Sequence, residues 1–576
     1  MGNNVLEIQN LCVDFLHEGV YNSVVRNVSY TVERGKTLGI VGESGSGKSV
    51  SSMAVMQLLP PKPKCRISGK ILFTDKDGKQ TDLLSLPNDD IRNYRGRHIA
   101  MVFQEPMTSL NPVHKCGEQI VEMLREHRNI SRKEAYKAAL DLMNEVMLPR
   151  PEKIMDSYPH EISGGQKQRV MIAMALACNP DVLIADEPTT ALDVTIQKTI
   201  LQLLKKLQSK YGMAIIFITH DLGVIAQIAD EVAVLYKGEV VEKNTVGELF
   251  EAPVHPYTKG LLACRPPLHS RPFHLHTVSD YLSSSVDDTA GYETPELRAE
   301  RHNKIYSQPP LLQVKDLEVT YALEKNIMGK ILQSLTAVDK VIFNDFSLEL
   351  QDGKITYIMG ESGCGKTTLG RALLKLINTS SGSITYNGVR LDKLTDSKMR
   401  ALRPKLQIIF QDPYSSLNPR ITVGNAIMEP LKVFALGGKN NSERKEYVCN
   451  LLKEVGLQPE HYNRYPHEFS GGQRQRVCIA RALALSPELV ICDESVSALD
   501  VSVQAQVLNL LNELKNKFNF TYIFISHDLS VVKFLSDRLM IMQKGQIVEM
   551  GEADSIYANP KQEYTRKLIE AIPQIG

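Results

Sequence analysis

The sequence states one pattern twice, and that repetition bounds the fold more tightly than any single motif. Leu11-Cys-Val-Asp-Phe15 answers Leu317-Glu-Val-Thr-Tyr321 at an offset of 306, while Lys48 answers Lys366 at an offset of 318. Beyond that point Gln104/Gln411, Ser163/Ser470, Asp186/Asp493, His220/His527, Gly238/Gly545 and Tyr257/Tyr564 all keep an offset of 307. The second copy therefore carries 12 extra residues before its lysine, and the first regains 11 between Lys48 and Gln104. Insertions confined to two stretches, with rigid spacing elsewhere, mean one fold used twice that accepts loops only where its chemistry permits. The copies are expected at residues 1–264 and 312–576. Between them, Arg265 to Leu311 is broken by Pro266, Pro267, Pro272, Pro295, Pro309 and Pro310 and by the run Ser283-Ser284-Ser285, so it reads as a solvated linker. His269, His274 and His276 stand close together there, but without nearby cysteine or carboxylate partners they predict no metal site.

Length and charge narrow the function classes. A chain of 576 residues has room for two large units with subdomains, and 43% hydrophobic with 23% charged residues is enough for a sizeable core. The formal charge of +1 supplies no global field for holding DNA or RNA. The longest uninterrupted apolar run, Val170 to Cys178, is about half of what a bilayer span needs, so the chain is not expected to cross a membrane. Met1-Gly2-Asn3-Asn4-Val5-Leu6 offers neither an export signal nor an acylation signal. Nine scattered cysteines without a Cys-x-x-Cys pair suit reduced thiols and a cytosolic compartment.

Each copy carries an apolar run ending in a glycine-rich turn: Thr37 to Val41 then Gly42-Glu-Ser44-Gly45-Ser46-Gly47-Lys48-Ser49, and Ile355 to Met359 then Gly360-Glu-Ser362-Gly363-Cys364-Gly365-Lys366-Thr367. The pattern is strand, loop, helix, with Val50 and Thr368 continuing into the helices. Glycines let backbone N–H groups turn inward around phosphate oxygens, the lysine reaches the outer phosphates, and the hydroxyl of Ser49 or Thr367 suits Mg2+. Farther on, Asp181 to Glu187 and Glu488 to Glu494 are short apolar runs ending in paired acids. Beside a phosphate loop, Asp186 or Asp493 can serve a metal ion while Glu187 or Glu494 activates water. Ser163-Gly164-Gly165-Gln166 and Ser470-Gly471-Gly472-Gln473 each open an apolar helical stretch. Serine is a good N-cap, but two glycines in the first turn cost about 1 kcal/mol each relative to alanine, which a close approach to a second anion would explain.

Phosphate loop, Ser-Gly-Gly-Gln helix start, Asp-Glu strand and strand-end histidine, in this order, resemble the ATP-binding cassette superfamily across both copies. Phe103-Gln104-Glu-Pro with Phe410-Gln411-Asp-Pro, Tyr158-Pro-His-Glu161 with Tyr465-Pro-His-Glu468, and the tail His255-Pro-Tyr-Thr258 are similar to the ATPases of bacterial dipeptide and oligopeptide importers. The resemblance implies an α/β architecture of tandem cassettes, each a RecA-like mixed sheet with an antiparallel β subdomain and a helical subdomain. It implies that Lys48 with Ser49, and Lys366 with Thr367, bind phosphate and Mg2+; that Gln104 and Gln411 sense Mg2+ and water; that Glu187 and Glu494 are general bases; and that His220 and His527 contact the γ-phosphate. Head-to-tail packing would let Ser470 and Gly472 complete the site on Lys48, and Ser163 and Gly165 the site on Lys366, with Asp193 and Asp500 communicating between them. Phe15 and Tyr321 are placed to stack on adenine, an ordinary core aromatic being the alternative. The implied cofactors are ATP and Mg2+. The implied partners are two transmembrane permeases and, through them, an extracytoplasmic binding protein, with the chain peripheral on the cytoplasmic face of the inner membrane and no nucleic acid bound. Nickel and glutathione importers use very similar ATPases, so the cargo stays open, and a soluble tandem-cassette ATPase acting on ribosomes or nucleic acid is the rival class. Ser495 departs from the proline usual after the glutamate, Cys364 lies inside a phosphate loop, and the lack of a cysteine-rich tail predicts no iron–sulfur cluster.

Overall fold

The computed structural model describes residues 3–104, 109–190, 192–267, 270–283, 291–321, 340–351, 355–361, 363–497, 499–526 and 528–572, with backbone alone for 321, 340–347 and 530. His527, Ser362 and the Tyr321 side chain, all singled out by the sequence, fall outside the described set. The first copy runs β1 (Asn4–His17), β2 (Val20–Glu33), β3 (Thr37–Val41), β4 (Cys65–Thr74), β5 (Gln80–Asp82), β6 (Ile99–Val102), β7 (Val182–Asp186), β8 (Ala214–Thr219), β9 (Glu231–Tyr236) and β10 (Glu239–Thr245). The second repeats it as β11 (Pro310–Tyr321), β12 (Lys340–Gln351), β13 (Ile355–Gly360), β14 (Ser381–Tyr386), β15 (Val389–Arg390), β16 (Leu406–Ile409), β17 (Leu489–Asp493), β18 (Thr521–Ile525), β19 (Arg538–Gln543) and β20 (Gln546–Glu552).

Each copy builds two sheets. An antiparallel one has the order β2-β1-β4-β5, repeated as β12-β11-β14-β15. The core sheet has the order β10-β9-β3-β8-β7-β6, with its counterpart β20-β19-β13-β18-β17-β16. Only the edge pair β9 with β10 (or β19 with β20) is antiparallel; the others run parallel. The parallel strands are apolar along their whole length because both faces are covered. Ile216 and Ile218 of β8 pack toward the antiparallel sheet, while Ile215 and Phe217 face the helices. The principal helices of the first copy are α1 (Lys48–Val55), α2 (Cys116–His127), α3 (Arg132–Glu145), α4 (Gly164–Leu176), α5 (Val194–Tyr211) and α6 (Pro256–Ala263). After α7 (Pro295–Tyr306) the second copy supplies α8 (Lys366–Leu373), α9 (Val423–Val433), α10 (Asn441–Glu454), α11 (Gly471–Leu483), α12 (Val501–Phe518) and α13 (Glu563–Glu570). The α/β class with an antiparallel and a helical subdomain is therefore present twice. The extra residues of the first copy lengthen a hairpin: β4 has 10 residues where β14 has 6. Most of the second copy's insertion lies outside the described residues. Among the described residues no helix is long and apolar enough to cross a membrane.

The segment between the copies differs from the solvated linker expected. Pro295 sits at the first position of α7, where a proline costs no hydrogen bond, and Thr294 caps the helix, so this proline starts a helix instead of breaking one. One face of α7 is buried on the second copy. Arg298 is ion-paired with Glu552 at 3.2 Å and with Asp554, and its guanidinium also donates to the Ser536 carbonyl at 3.2 Å. Arg271 adds a bond to the same carbonyl and to Asp554. Asp537 is the hub: it accepts from Arg301 at 2.5 Å, lies 3.1 Å from His302 Nε2, and accepts the Ile355 amide at 2.8 Å, the first residue of β13. The equivalent first-copy residue, Asp230, likewise holds the Thr37 amide at 2.7 Å, but it is exposed and Thr245 and Gly247 stand where Glu552 and Asp554 would be. The linker's charges thus match only the second copy. Of the three linker histidines, His274 lies 4.0 Å from Glu513, His276 sits edge-on to Tyr281, and His269 is outside the described residues.

Burial alone would raise the Asp537 carboxyl, but the His302 bond and the Lys515 and Arg301 charges hold it far below the usual carboxylate range. A depressed acid contributes stability that is present above its unfolded value near 4 and is lost as pH falls. Asp537→Asn is therefore expected to cost about 3 kcal/mol by calorimetry at pH 7, as for other broken buried pairs. Asp230→Asn should cost about 1 kcal/mol or less, and the Asp537 deficit should shrink below about pH 4.

Candidate functional site

In both copies the phosphate loop leaves the carboxyl end of the central core strand, between β8 and β9 or between β18 and β19. Open α/β sheets bind ligands at such ends. Gly42, Gly45 and Gly47 have φ of 155°, 82° and 99°, and Gly360, Gly363 and Gly365 repeat them at 159°, 82° and 108°. A Cβ on Gly42 would sit 2.3 Å from the Leu235 carbonyl, and one on Gly360 2.2 Å from that of Met542, so no other residue fits the start of either loop. Lys48, 6% exposed, donates to the carbonyls of Gly42 at 2.7 Å and Glu43 at 2.9 Å; Lys366 does the same with Gly360 and Glu361 at the same distances. Ser46 and Cys364 occupy equivalent loop positions, and the Cys364 thiol, pushed up by burial, is packed rather than reactive.

The acid pairs end β7 and β17. Ser49 donates to Asp186 at 3.0 Å and Thr367 to Asp493 at 3.0 Å. Burial pushes Asp186 up to about 6, and Asp493 rises for the same reason. A hydroxyl beside a carboxylate that is costly to keep ionised is an all-oxygen donor set, which fits a hard divalent cation whose remaining ligands come from phosphates and water. Glu187 and Glu494 follow with φ of 46° and 48°, a left-handed backbone that a non-glycine residue adopts only under constraint. The two angles agree although Pro188 follows one and Ser495 the other, so the Ser495 departure leaves the turn unchanged. That turn brings Glu187 to Gln104 Nε2 at 2.9 Å, Thr190 Oγ1 at 2.9 Å and His220 Nδ1 at 3.2 Å; Gln411 reaches Glu494 at 2.7 Å. Burial would raise Glu187, but the bond and charge of His220 with the Thr190 bond pull it down to about 2. Burial opposes protonation of His220, yet Glu187 and Asp500 lift it above its ordinary value.

The other copy enters the first site. Asp500 accepts from the Ser44 amide and hydroxyl, both at 3.0 Å, and lies 3.9 Å from His220. Ser502 donates to the Glu43 carboxylate. Asp193, its counterpart, accepts the Ile196 amide at 2.9 Å and caps its own helix α5. Ser163 and Ser470 each form a reciprocal capping box with Gln166 and Gln473. Their glycines divide by role. Gly164 and Gly471 are exposed, with no neighbour nearer than 3.9 Å to an added Cβ. A Cβ on Gly165 would meet Ile196 at 3.0 Å, and one on Gly472 would meet Val503 at 2.2 Å, so the second glycine admits the helix after the aspartate. Phe15 lies on β1, partly buried against the core between the two sheets. Sequence reasoning missed Thr190 and Ser502 as contact residues, and it gave Ser44 a phosphate-loop role without the contact to Asp500; Thr190 and Ser497 recur at the common offset, a signal that spacing alone offered. Gly472→Ala should lower stability by about 1–3 kcal/mol through overpacking, whereas Gly471→Ala should leave the melting temperature within about a degree, both read by calorimetry.

The chain is similar to known proteins along nearly its whole length. The ABC transporter family matches residues 25–190 and 343–497, and the C-terminal region of oligopeptide/dipeptide transporters matches residues 241–287 and 548–576. The chain is 48% identical to the glutathione import ATP-binding protein GsiA of Pectobacterium atrosepticum over 573 residues, 99% of this chain and 89% of the relative. It is also 48% identical to the protein of that name from Escherichia coli K12 over 571 residues, 99% and 90% of the two chains. Among solved structures, the dimeric post-hydrolysis form of the ATP-binding cassette MJ0796, bound to ADP and Pi, matches 42% of this chain and 98% of its own at 30% identity with a TM-score of 0.37. The chain belongs to the ABC transporter ATPases, in the oligopeptide/dipeptide importer branch, with two cassettes fused in one polypeptide.

Proposed function

We propose that residues 1–264 and 312–576 are two cassettes that bind and hydrolyse two MgATP at shared sites, and that 265–311 fastens the second cassette to the first. The observation that carries this reading is the insertion of Asp500 and Ser502 from one cassette onto Ser44 and Glu43 of the other's phosphate loop. Lys48 and Lys366 would exchange loop carbonyls for phosphate oxygens, an exchange favoured because a buried ammonium gains most from an anion. Mg2+, held through Ser49 with Asp186 and Thr367 with Asp493 and attended by Gln104 and Gln411, would neutralise charge developing on the outer phosphates. Ser470, Gly471, Gly472 and Gln473 would present a helix N-terminus to the nucleotide on Lys48, and Ser163, Gly164, Gly165 and Gln166 to the one on Lys366. Phe15 and Tyr321 would meet adenine.

The Glu187–His220 pair supports a gating role for the histidine. A carboxylate held at about 2 is a poor base at neutral pH. Rotation of His220 toward the γ-phosphate would remove its stabilising charge, raise Glu187 and let it accept the proton of the attacking water. His527, outside the described residues, would contact the γ-phosphate of the second nucleotide. Hydrolysis would thus wait for closure, and closure is the stroke delivered to the membrane partner.

The cargo best supported is a small peptide of the glutathione class, from 48% identity over 99% of the chain to proteins so named. Two transmembrane permeases, fed by an extracytoplasmic binding protein, would hold the chain at the cytoplasmic face of the inner membrane. An apolar cavity of about 220 Å3, lined by Met56, Met101, Phe103, Met123, Met171 and Met174, would suit a side chain projecting from a permease helix, since methionines repack around an inserted group.

Glu187→Gln and Glu494→Gln should each lower turnover at least about 100-fold; near-full activity in either would overturn two working sites. The double variant, incubated with ATP and solubilised native membranes, should co-purify with two multi-spanning proteins. Recovery of ribosomal proteins or nucleic acid without a membrane protein would overturn the transport reading.

A further inference from the structure

The C-terminal region of each copy sends one tyrosine hydroxyl into its own phosphate loop. Tyr257, on α6, accepts the amide N–H of Glu43 at 2.9 Å; Tyr564, on α13, accepts that of Glu361 at 3.2 Å. Both bonds fall on the residue after the first loop glycine. Both tyrosines lie within the segments matched by the oligopeptide/dipeptide C-terminal region rather than by the cassette itself. The helices that carry them are docked identically. Glu242 of β10 accepts the amides of Val254 and His255 at 2.9 and 3.0 Å, just before α6. Glu549 of β20 accepts those of Lys561 and Gln562 at 2.9 and 3.2 Å, just before α13. Tyr257 is wholly buried and stacks on Tyr236 with ring centroids 4.2 Å apart.

The residue so held is the one on which the site converges. The Glu43 carbonyl accepts from Lys48, its carboxylate accepts from Ser502 of the other cassette, and its neighbour Ser44 is bonded to Asp500. The segment following α6 is tied in turn to that other cassette: Leu275 and Asn509 of α12 exchange two hydrogen bonds at 2.8 Å. The phenol therefore fixes the loop's first peptide against both the lysine and the opposing helix. The same bond appears in two copies with different ring neighbours, Tyr236 facing Tyr257 where the second copy has Gln543, so the hydroxyl rather than the packing is the common element.

We propose that Tyr257 and Tyr564 are positioning residues for ATP binding, through which the C-terminal region of this importer branch holds each phosphate loop in its nucleotide-ready shape. The inference rests on the assignment of Lys48 and Lys366 as phosphate ligands. Removing the hydroxyl leaves an amide without its partner and the loop free to tilt, a change expected in affinity for the phosphates and not in the chemical step.

The test is Tyr257→Phe/Tyr564→Phe, which keeps both rings, made in the full chain and again on the Glu187→Gln/Glu494→Gln background. On that background the dissociation constant for MgATP by equilibrium titration should rise about fivefold or more. In the active chain KM should rise by a similar factor with kcat changed less than about twofold. The single variants should each weaken one of two binding events, which keeps the test open should the double variant fold poorly. A dissociation constant within about twofold of the parent would overturn the proposal, as would a fall in melting temperature and kcat with KM unchanged, the signature of a merely structural tyrosine. Lack of ATP turnover by the unmodified chain would instead strike the hydrolytic reading, and the titration would still decide the role of the hydroxyls.

Discussion

A buried ammonium group at the end of a central strand organises each copy of this protein. Lys48 and Lys366 are 6% and 5% exposed, and a charge so placed is tolerated only with oxygen around it. The loop supplies that oxygen by folding its own carbonyls inward, which requires glycines at left-handed positions and forbids a Cβ at Gly42 and Gly360. Everything else in the site is set from that point. The carboxylates arrive from β7 and β17, each separated from the loop-bearing strand by one strand, the left-handed Glu187 and Glu494 turn back across the strand ends, and the opposite cassette closes on the first loop from outside.

Duplication has not left the copies equivalent. Asp193 caps its own helix at Ile196, a bond that its counterpart Asp500 does not make, and Ser362, the second copy's equivalent of the Ser44 that Asp500 holds, lies outside the described residues. The second copy alone carries the carboxylates that receive Arg271, Arg298 and Arg301 from the segment between the cassettes. That segment ends on Asp537, which holds the first amide of the strand leading into the second phosphate loop. A displacement of α7 is thus one hydrogen bond away from the base of β13. In the first copy the same aspartate holds its strand with its other side open to solvent.

Much of this was legible in the residues. The 307-residue offset located both copies, and the glycine spacing, the acid pairs and the capping serines located the elements of each site, because local backbone chemistry dictates them. What depends on distant partners was not. Pro295 read as a breaker because proline has two opposite meanings, ending a helix from within and starting one from its first position. The burial of Arg298 and His302 became visible only once Asp537, Glu552 and Asp554 were brought opposite them across more than two hundred residues. The second glycine of each Ser-Gly-Gly-Gln turn was attributed to anion approach, yet at Gly165 and Gly472 it is a neighbouring helix that excludes a side chain. Tyr257 and Tyr564 served as markers of the repeat, and nothing in their spacing told that their hydroxyls meet the phosphate loops.

The account turns on two cassettes sharing each nucleotide. Electron cryo-microscopy of the Glu187→Gln/Glu494→Gln chain with MgATP tests this most directly. The account predicts two nucleotides, one between the Lys48 loop and the Ser470 helix start and one between the Lys366 loop and the Ser163 helix start. Nucleotide bound by each loop with the other cassette's Ser-Gly-Gly-Gln turn out of contact would contradict it.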